Sequence, residues 1–297
     1  MSVKFMITGI LAAVAGVQAW MGIRVEPVGI LPERLSELHI FEGRPSDLRP
    51  SGAFKVYELA TTLFTDYAEK QRFMKLPPGS HLPATGNGLP LFPEGTMLVK
   101  TFFYYTDKKD TAKGKQIIET RVMVLSGGQW VWGTYLWDLG QTEALLMTGK
   151  NSSHIKIDWL DEQGASRRIR YVVPSHTDCA TCHNSAGKFM PIGPTFRNLR
   201  MGATHVPSLP AWQDSSYAVE QRARAYLDVN CAHCHNPDGS CSKAGMDLRY
   251  EAALPDRRMF RKVAKNMRTG RMPLIGTTIV HQEGLALIEE YNKSLKK

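Results

Sequence analysis

The chain has 297 residues, 43% of them hydrophobic and 22% charged, with a formal net charge of +9. That is enough apolar material for one large core or two modest ones, and it excludes a largely disordered chain. The positive charge favours acidic partners or anionic surfaces, but no basic repeat with interleaved aromatics is present, so no nucleic acid partner is expected.

Residues 1–19 read as a secretory signal. Lys4 gives a basic start, an apolar run extends from Phe5 to about Val17, and Val17 and Ala19 suit a peptidase site before Trp20. The run is shorter than the ~20 residues of a bilayer span. No transmembrane span is therefore expected after cleavage, the alternative being an uncleaved anchor. Loss of Lys4 leaves a charge of +8.

Residues 20–50 form a lead-in, with a short helix expected over 32–41 that places Leu35, Leu38 and Phe41 on one face. Residues 51–175 turn to β composition. Strands are expected over 54–59, 96–105, 116–125 and 129–138, with a short helix or coil over 62–73. Gly127-Gly128 suits a two-residue hairpin turn, and Gly133 suggests a bulge. Segments 155–159 and 169–173 form another hairpin around Gln163-Gly164. The expected fold class is α+β, beginning with an antiparallel β-sandwich-like domain. Trp130, Trp132, Tyr135 and Trp137 are expected to be sheet core rather than a cofactor cover.

Export ordinarily suggests disulfides, but four of the five cysteines fall in two copies of one pattern. These are Cys179-Ala180-Thr181-Cys182-His183 and Cys231-Ala232-His233-Cys234-His235. C-x-x-C-H is the attachment signature of c-type haem. Two thiols separated by two residues reach both vinyl groups, and the following histidine lies under the iron. Cys179, Cys182, Cys231 and Cys234 are thus expected to hold two covalent haem c groups, with His183 and His235 as iron ligands. A zinc ribbon is the chief rival, but its knuckles lie ~15–20 residues apart, whereas these motifs begin 52 residues apart. A thioredoxin-like pair would need a surrounding βαβ pattern, which is missing. Cys241 reads as a small residue in a buried turn, or else as a free thiol.

Residues 176–210 make a first haem-binding segment at a domain junction. A carbonyl near Gly193-Pro194 is expected to accept the His183 ring proton. Candidates for the sixth position of this iron are Met190, His205, Met201, His176, Lys100 and His281, or an open site. Residues 211–297 read as an α-helical cytochrome c-like module: a helix over 216–229 leads into the second motif, and another over 282–296 closes the chain. Between them Met272-Pro273 sits where such modules supply a thioether, so Met272 is the expected sixth ligand of the second iron, ahead of Met246, Met259 and Met267.

The chain resembles a family of exported bacterial di-haem c-type cytochromes of unassigned pathway, in which a β-rich domain precedes two C-x-x-C-H sites. The likeness runs through Tyr57-Glu58-Leu59, Leu63 to Ala68 with Lys70, Pro93 to Thr96, Lys100-Thr101-Phe102 and Glu119-Thr120-Arg121. It continues through Tyr171 to Pro174, Pro191 to Pro194, Asn230 to Pro237, and Met272-Pro273 with His281 and Gly284-Leu285. The stretch between Asp247-Leu248-Arg249 and Met272 is shorter than the pattern, which implies a more exposed second haem. The resemblance implies a periplasmic one-electron relay between redox partner proteins, with no substrate chemistry. Alternatives are a haem enzyme resembling a di-haem peroxidase, an electron-accepting subunit of a dehydrogenase, and a haem sensor. A peroxidase needs an acid/base group over an open iron, and the sequence offers no clear pair.

Overall fold

The computed structural model describes residues 31–83, 88–200, 207–253 and 256–295. The signal segment 1–19, Trp20, and the ligand candidates Met201 and His205 lie outside them.

Period-two alternation builds a six-stranded antiparallel meander: β1 (Lys55–Val56), β2 (Glu69–Lys75), β3 (Met97–Tyr105), β4 (Lys115–Ser126), β5 (Gln129–Trp137) and β6 (Ala144–Leu146), paired in chain order. The β4–β5 turn uses Gly127 and Gly128 at φ +60° and +73°, as a two-residue hairpin between right-twisted strands requires. One sheet face carries Phe73, Val99, Val122, Val131 and Tyr135 into a core closed by Leu31, Leu35 and Phe41 of the lead-in. The fold is α+β, but several local expectations fail.

Among its described residues the lead-in forms no α-helix. Where one was expected there is a 3-10 turn, Leu35–Leu38, ended by His39 at φ +49°, and Arg34 and Phe41 flank it in β-bridges to Leu145 and Pro50; a second 3-10 turn follows at Pro45–Asp47. Within the stretch expected as helix or coil, residues 69–73 belong to β2, because alternation sends Phe73 to the core and Arg72 to the opposite face. The first strand shrinks to two residues. Gly133 makes no bulge. It pairs regularly with Val122, and a Cβ there would lie 2.6 Å from Leu146 and 2.7 Å from Leu31. The bulge falls between Phe102 and Phe103.

The second layer is a hairpin, not a full sheet. Strands β7 (Ser153–Leu160) and β8 (Ser166–Val173) set Ile157, Trp159 and Tyr171 against Phe102, Tyr104 and Ile118. The chain then enters the short helix α1 (His176–Cys182), followed by the small hairpin β9 (Asn184–Ser185) and β10 (Lys188–Phe189). Helices α2 (Val219–Asn230), α3 (Arg257–Arg268) and α4 (Gln282–Ser294) share a core of Ala223, Leu227, Phe260, Ala264, Leu285 and Ile288. Helix α3 was not expected; Asp256 caps it by accepting the Met259 N–H at 2.8 Å.

Residues 60–66 bind the sheet to the helices. The Phe64 N–H donates to Asn230 Oδ1 at 2.7 Å, and the buried Asp66 carboxylate accepts the Thr278 N–H at 2.8 Å and its hydroxyl at 2.7 Å. No helix among the described residues is long and apolar enough to cross a membrane.

Candidate functional site

Ser175 starts α1 with a capping box, exchanging hydrogen bonds with Asp178. One turn later Cys179 and Cys182 fall on the same side of the helix, because residues three apart are neighbours there. Cys179 and Ala180 pack on Trp132 of β5. Trp132 therefore faces the motif instead of serving only as sheet core, unlike Tyr135 and Trp137 on the other face.

His183 ends the helix, its N–H donating to Cys179 O at 2.9 Å. The β9–β10 hairpin folds back so that the Met190 carbonyl lies 2.8 Å from His183 Nδ1. A carbonyl accepts only, so Nδ1 carries the proton and Nε2 keeps a lone pair, the tautomer a metal ligand needs. The expected acceptor near Gly193-Pro194 is engaged elsewhere: Gly193 O accepts from Asn198 Nδ2 and the Thr195 N–H. Burial pushes the His183 pKa down to about 3, keeping the ring neutral. Four rings then stack nearly parallel: His176 on Trp132 at 4.3 Å, Trp132 on Phe189 at 3.5 Å, and Phe189 on His183 at 5.0 Å.

Helix α2 delivers the second motif at its C-terminal end. The Cys231 and Ala232 N–H groups both bond to Leu227 O at 2.9 Å, and His235 N–H bonds to Cys231 O at 3.0 Å. Asn236 Nδ2 donates to Ala232 O at 2.7 Å, tightening the turn. Burial raises the Cys231 thiol to about 12. His235 Nδ1 is buried without a partner among the described residues.

The two motifs meet. The ligand atoms of Cys182, Cys234 and His233 all lie within 4.8 Å of one another. The Ala186 N–H donates to Asp238 O at 2.9 Å, joining the loops that follow the two motifs. Hydrogen bonds from Cys182 and the His233 ring hold Cys234 towards the thiolate, while Cys182 retains its proton. Cys241 sits against this turn, its N–H on Cys234 O at 2.9 Å.

A cleft of about 690 Å³ opens beside Cys182, His183, Ala232 and His233, within the size range of cofactor sites. A narrower hollow of about 130 Å³ lies between the sheet and Cys179, Cys182 and His183. The two share Cys182, His183, Gly193, Val229 and His233 as walls. Buried polar atoms of Arg72, Trp132, His176, His233 and His235 have no partner among the described residues, although buried polar groups are ordinarily satisfied. At the first motif the paired thiols, the oriented His183 imidazole, the adjoining space and the unsatisfied polar atoms together fit a large covalent cofactor.

The other expected ligands are dispersed. Met272 lines a separate cleft with Tyr67, Trp159 and Arg167, while its neighbour Pro273 reaches the hollow shared with His233. Met267 is buried in the helical core and Met246 packs at its margin. His281 stacks on Phe64 at 4.1 Å and its Nδ1 is 3.0 Å from the Tyr226 hydroxyl. Lys100 lines the hollow beside His183.

Sequence reasoning missed Arg72, Arg121 and Phe189 as site residues and gave His233 no role of its own. For the two arginines a signal existed in the cross-strand register of β2, β3 and β4; for Phe189 there was none. No family model, curated protein or solved structure matches this chain.

Proposed function

We propose that the chain is an exported di-haem c-type cytochrome acting as a one-electron relay in the periplasm, related to the family it resembles in sequence. The observation that carries this reading is the meeting of two C-x-x-C-H motifs with Cys182 and Cys234 sulfurs inside 4.8 Å. Thioethers formed at these sulfurs would hold the two attached groups near one another.

Haem, when bound, supplies an Fe(III)/Fe(II) couple whose potential follows its ligands and surroundings. The chain's residues do the rest. Cys179, Cys182, Cys231 and Cys234 attach the two groups; His183, held by the Met190 carbonyl, and His235 present nitrogen to each iron. In this reading α2, α3 and α4 would act as a cytochrome c-like module, and Met272 would be the residue to offer sulfur to the second iron. A thioether favours the reduced state, so a haem held by His235 and Met272 would have the higher potential of the two. The β-rich region shields the first site and docks redox partners, acidic ones matching the basic chain.

Intact-mass analysis of protein matured by a haem-attaching host tests the reading. Two covalent haems and an N-terminus at Trp20 are the expected result. A second reading rests on Cys182, His233 and Cys234, which have the donor types and closeness of a zinc site with one open position. Stoichiometric zinc without haem would establish it and overturn the cytochrome.

A further inference from the structure

A row of cations crosses the site-facing side of the sheet. Arg72 on β2 stands opposite Lys100 on β3, which stands opposite Arg121 on β4. Lys70, two residues before Arg72, shares that face. Arg72, Lys100 and Arg121 all line the hollow that also contains Cys179, Cys182 and His183.

The carboxylate that pairs directly with this row, Glu119, is fully engaged. Glu119 takes Arg121 through both oxygens, at 2.7 and 2.8 Å, and accepts the Tyr171 hydroxyl at 2.7 Å. Among the described residues no carboxylate lies within ion-pair distance of Lys70, Arg72 or Lys100. Lys70 donates to Ala68 O, and Lys100 leans over the Phe102 ring with Nζ 4.7 Å from its centroid. Arg72 is 5% exposed, and its buried Nη2 has no partner among the described residues.

Arginine does not shed its proton in proteins. A buried, unpaired guanidinium is strongly unfavourable unless an anion meets it. Packing alone would be served by an apolar side chain at position 72, as Met74 serves two residues on. Burial also drives the Lys70 ammonium down to about 7 and that of Lys100 well down, with neighbouring cations adding to the effect. Arg72 is therefore the cation left without a paired anion among the described residues, and it borders the hollow beside the first motif.

We propose that Arg72, Lys100 and Arg121 receive the two propionate carboxylates of the haem attached at Cys179 and Cys182, an assignment that rests on the di-haem reading. The sheet then does more than cover the cofactor. It neutralises the cofactor's acidic edge and fixes its rotation about the thioether-bearing side.

Mature holoprotein carrying Arg72→Gln, Arg72→Lys or Lys100→Leu tests this. Each is examined by intact mass, visible spectrum and potentiometric titration. Two haems and unchanged ligand-field bands are expected in all three. An uncompensated propionate favours ferric iron, so Arg72→Gln and Lys100→Leu should each lower one midpoint, by about tenfold in its reduction equilibrium, or 59 mV for one electron. The other midpoint should stay, and Arg72→Lys should recover most of the shift. The proposal is overturned if both midpoints stay or move alike in Arg72→Gln, or, should that variant not fold, in Lys100→Leu. It is also overturned if Lys100→Leu alone changes the ligand-field bands, which would make Lys100 an iron ligand. A saturable response of the wild-type midpoint to added inorganic phosphate would assign the row to a soluble anion instead. Wild-type protein without haem would remove the di-haem reading itself, a result plainly distinct from these.

Discussion

Replacing Gly284 by alanine should loosen the packing that carries the second motif. Gly284 lies in the first turn of α4, and a Cβ built there falls within 2.5 Å of the Tyr226 ring and hydroxyl on α2. Tyr226 cannot step aside freely. It is 3% exposed, its ring packs 5.5 Å from Trp212, and its hydroxyl bonds to His281 Nδ1 at 3.0 Å. Overpacking of this kind costs about 1–3 kcal/mol. Alanine recovers at most about 1 kcal/mol of that through helix propensity. A net loss of about 1–2 kcal/mol is expected, which for a chain of this size lowers the melting temperature by about 2–8 °C. Circular dichroism melts and urea titrations of the holoprotein would measure it. The same substitution in a Tyr226→Leu background should cost clearly less, because the ring it strikes is gone. Equal cost in both backgrounds, or no cost in either, would refute the close approach of α4 to α2 as the reason for glycine at this position.

Removing Cys231 and Cys234 together, as Cys231→Ala/Cys234→Ala, should leave one covalent haem by intact mass; two would mean that other thiols are used. Met272→Ala should abolish a weak sulfur-to-iron absorption band and lower a single potential, and persistence of the band would pass the role to Met246 or Met267. Glu119→Gln should cost about 3 kcal/mol in chemical denaturation, since Arg121 and Tyr171 lose their shared anion; a loss below about 0.5 kcal/mol, the range of an ordinary surface change, would contradict the pairing. Burial among Phe64, Trp212 and Tyr226 lowers the His281 pKa to about 4. Between there and the ordinary histidine value near 6.5 the unfolded chain binds more protons, so stability rises with pH across that window and is lost as pH falls through it. His281→Gln should flatten this slope, and an unchanged slope in urea titrations at several pH values would assign it to other groups.

The strands that alternate plainly were legible: β3, β4, β5 and the β7–β8 hairpin occur close to where period-two patterning puts them. Strand β2 was not, because Glu69-Lys70-Gln71-Arg72-Phe73-Met74-Lys75 looks solvent-exposed when charge is taken as a sign of exposure. Its cations turn inward, and only the register with Lys100 and Arg121 reveals it. Helix α3 was missed for a related reason. Basic residues crowd Arg257–Arg268, and only Phe260, Ala264 and Met267 are buried. The motif cysteines and histidines declared themselves through spacing. The Met190 carbonyl could not, since a backbone acceptor leaves no mark in composition. The meeting of Cys182 with Cys234 depends on loops between the motifs that carry no periodic signal.

The depth of Cys179 sets an order of events. In the closed fold this thiol is 6% exposed and roofed by Trp132, whereas Cys231 is only partly buried. An attachment enzyme needs both thiols of a motif in the open, on a chain it can grasp. On the cytochrome reading, ligation must therefore come before β5 and α1 close over one another. The porphyrin would enter as part of the folding nucleus instead of as a late guest, and a chain that closed first would be a dead end in biogenesis.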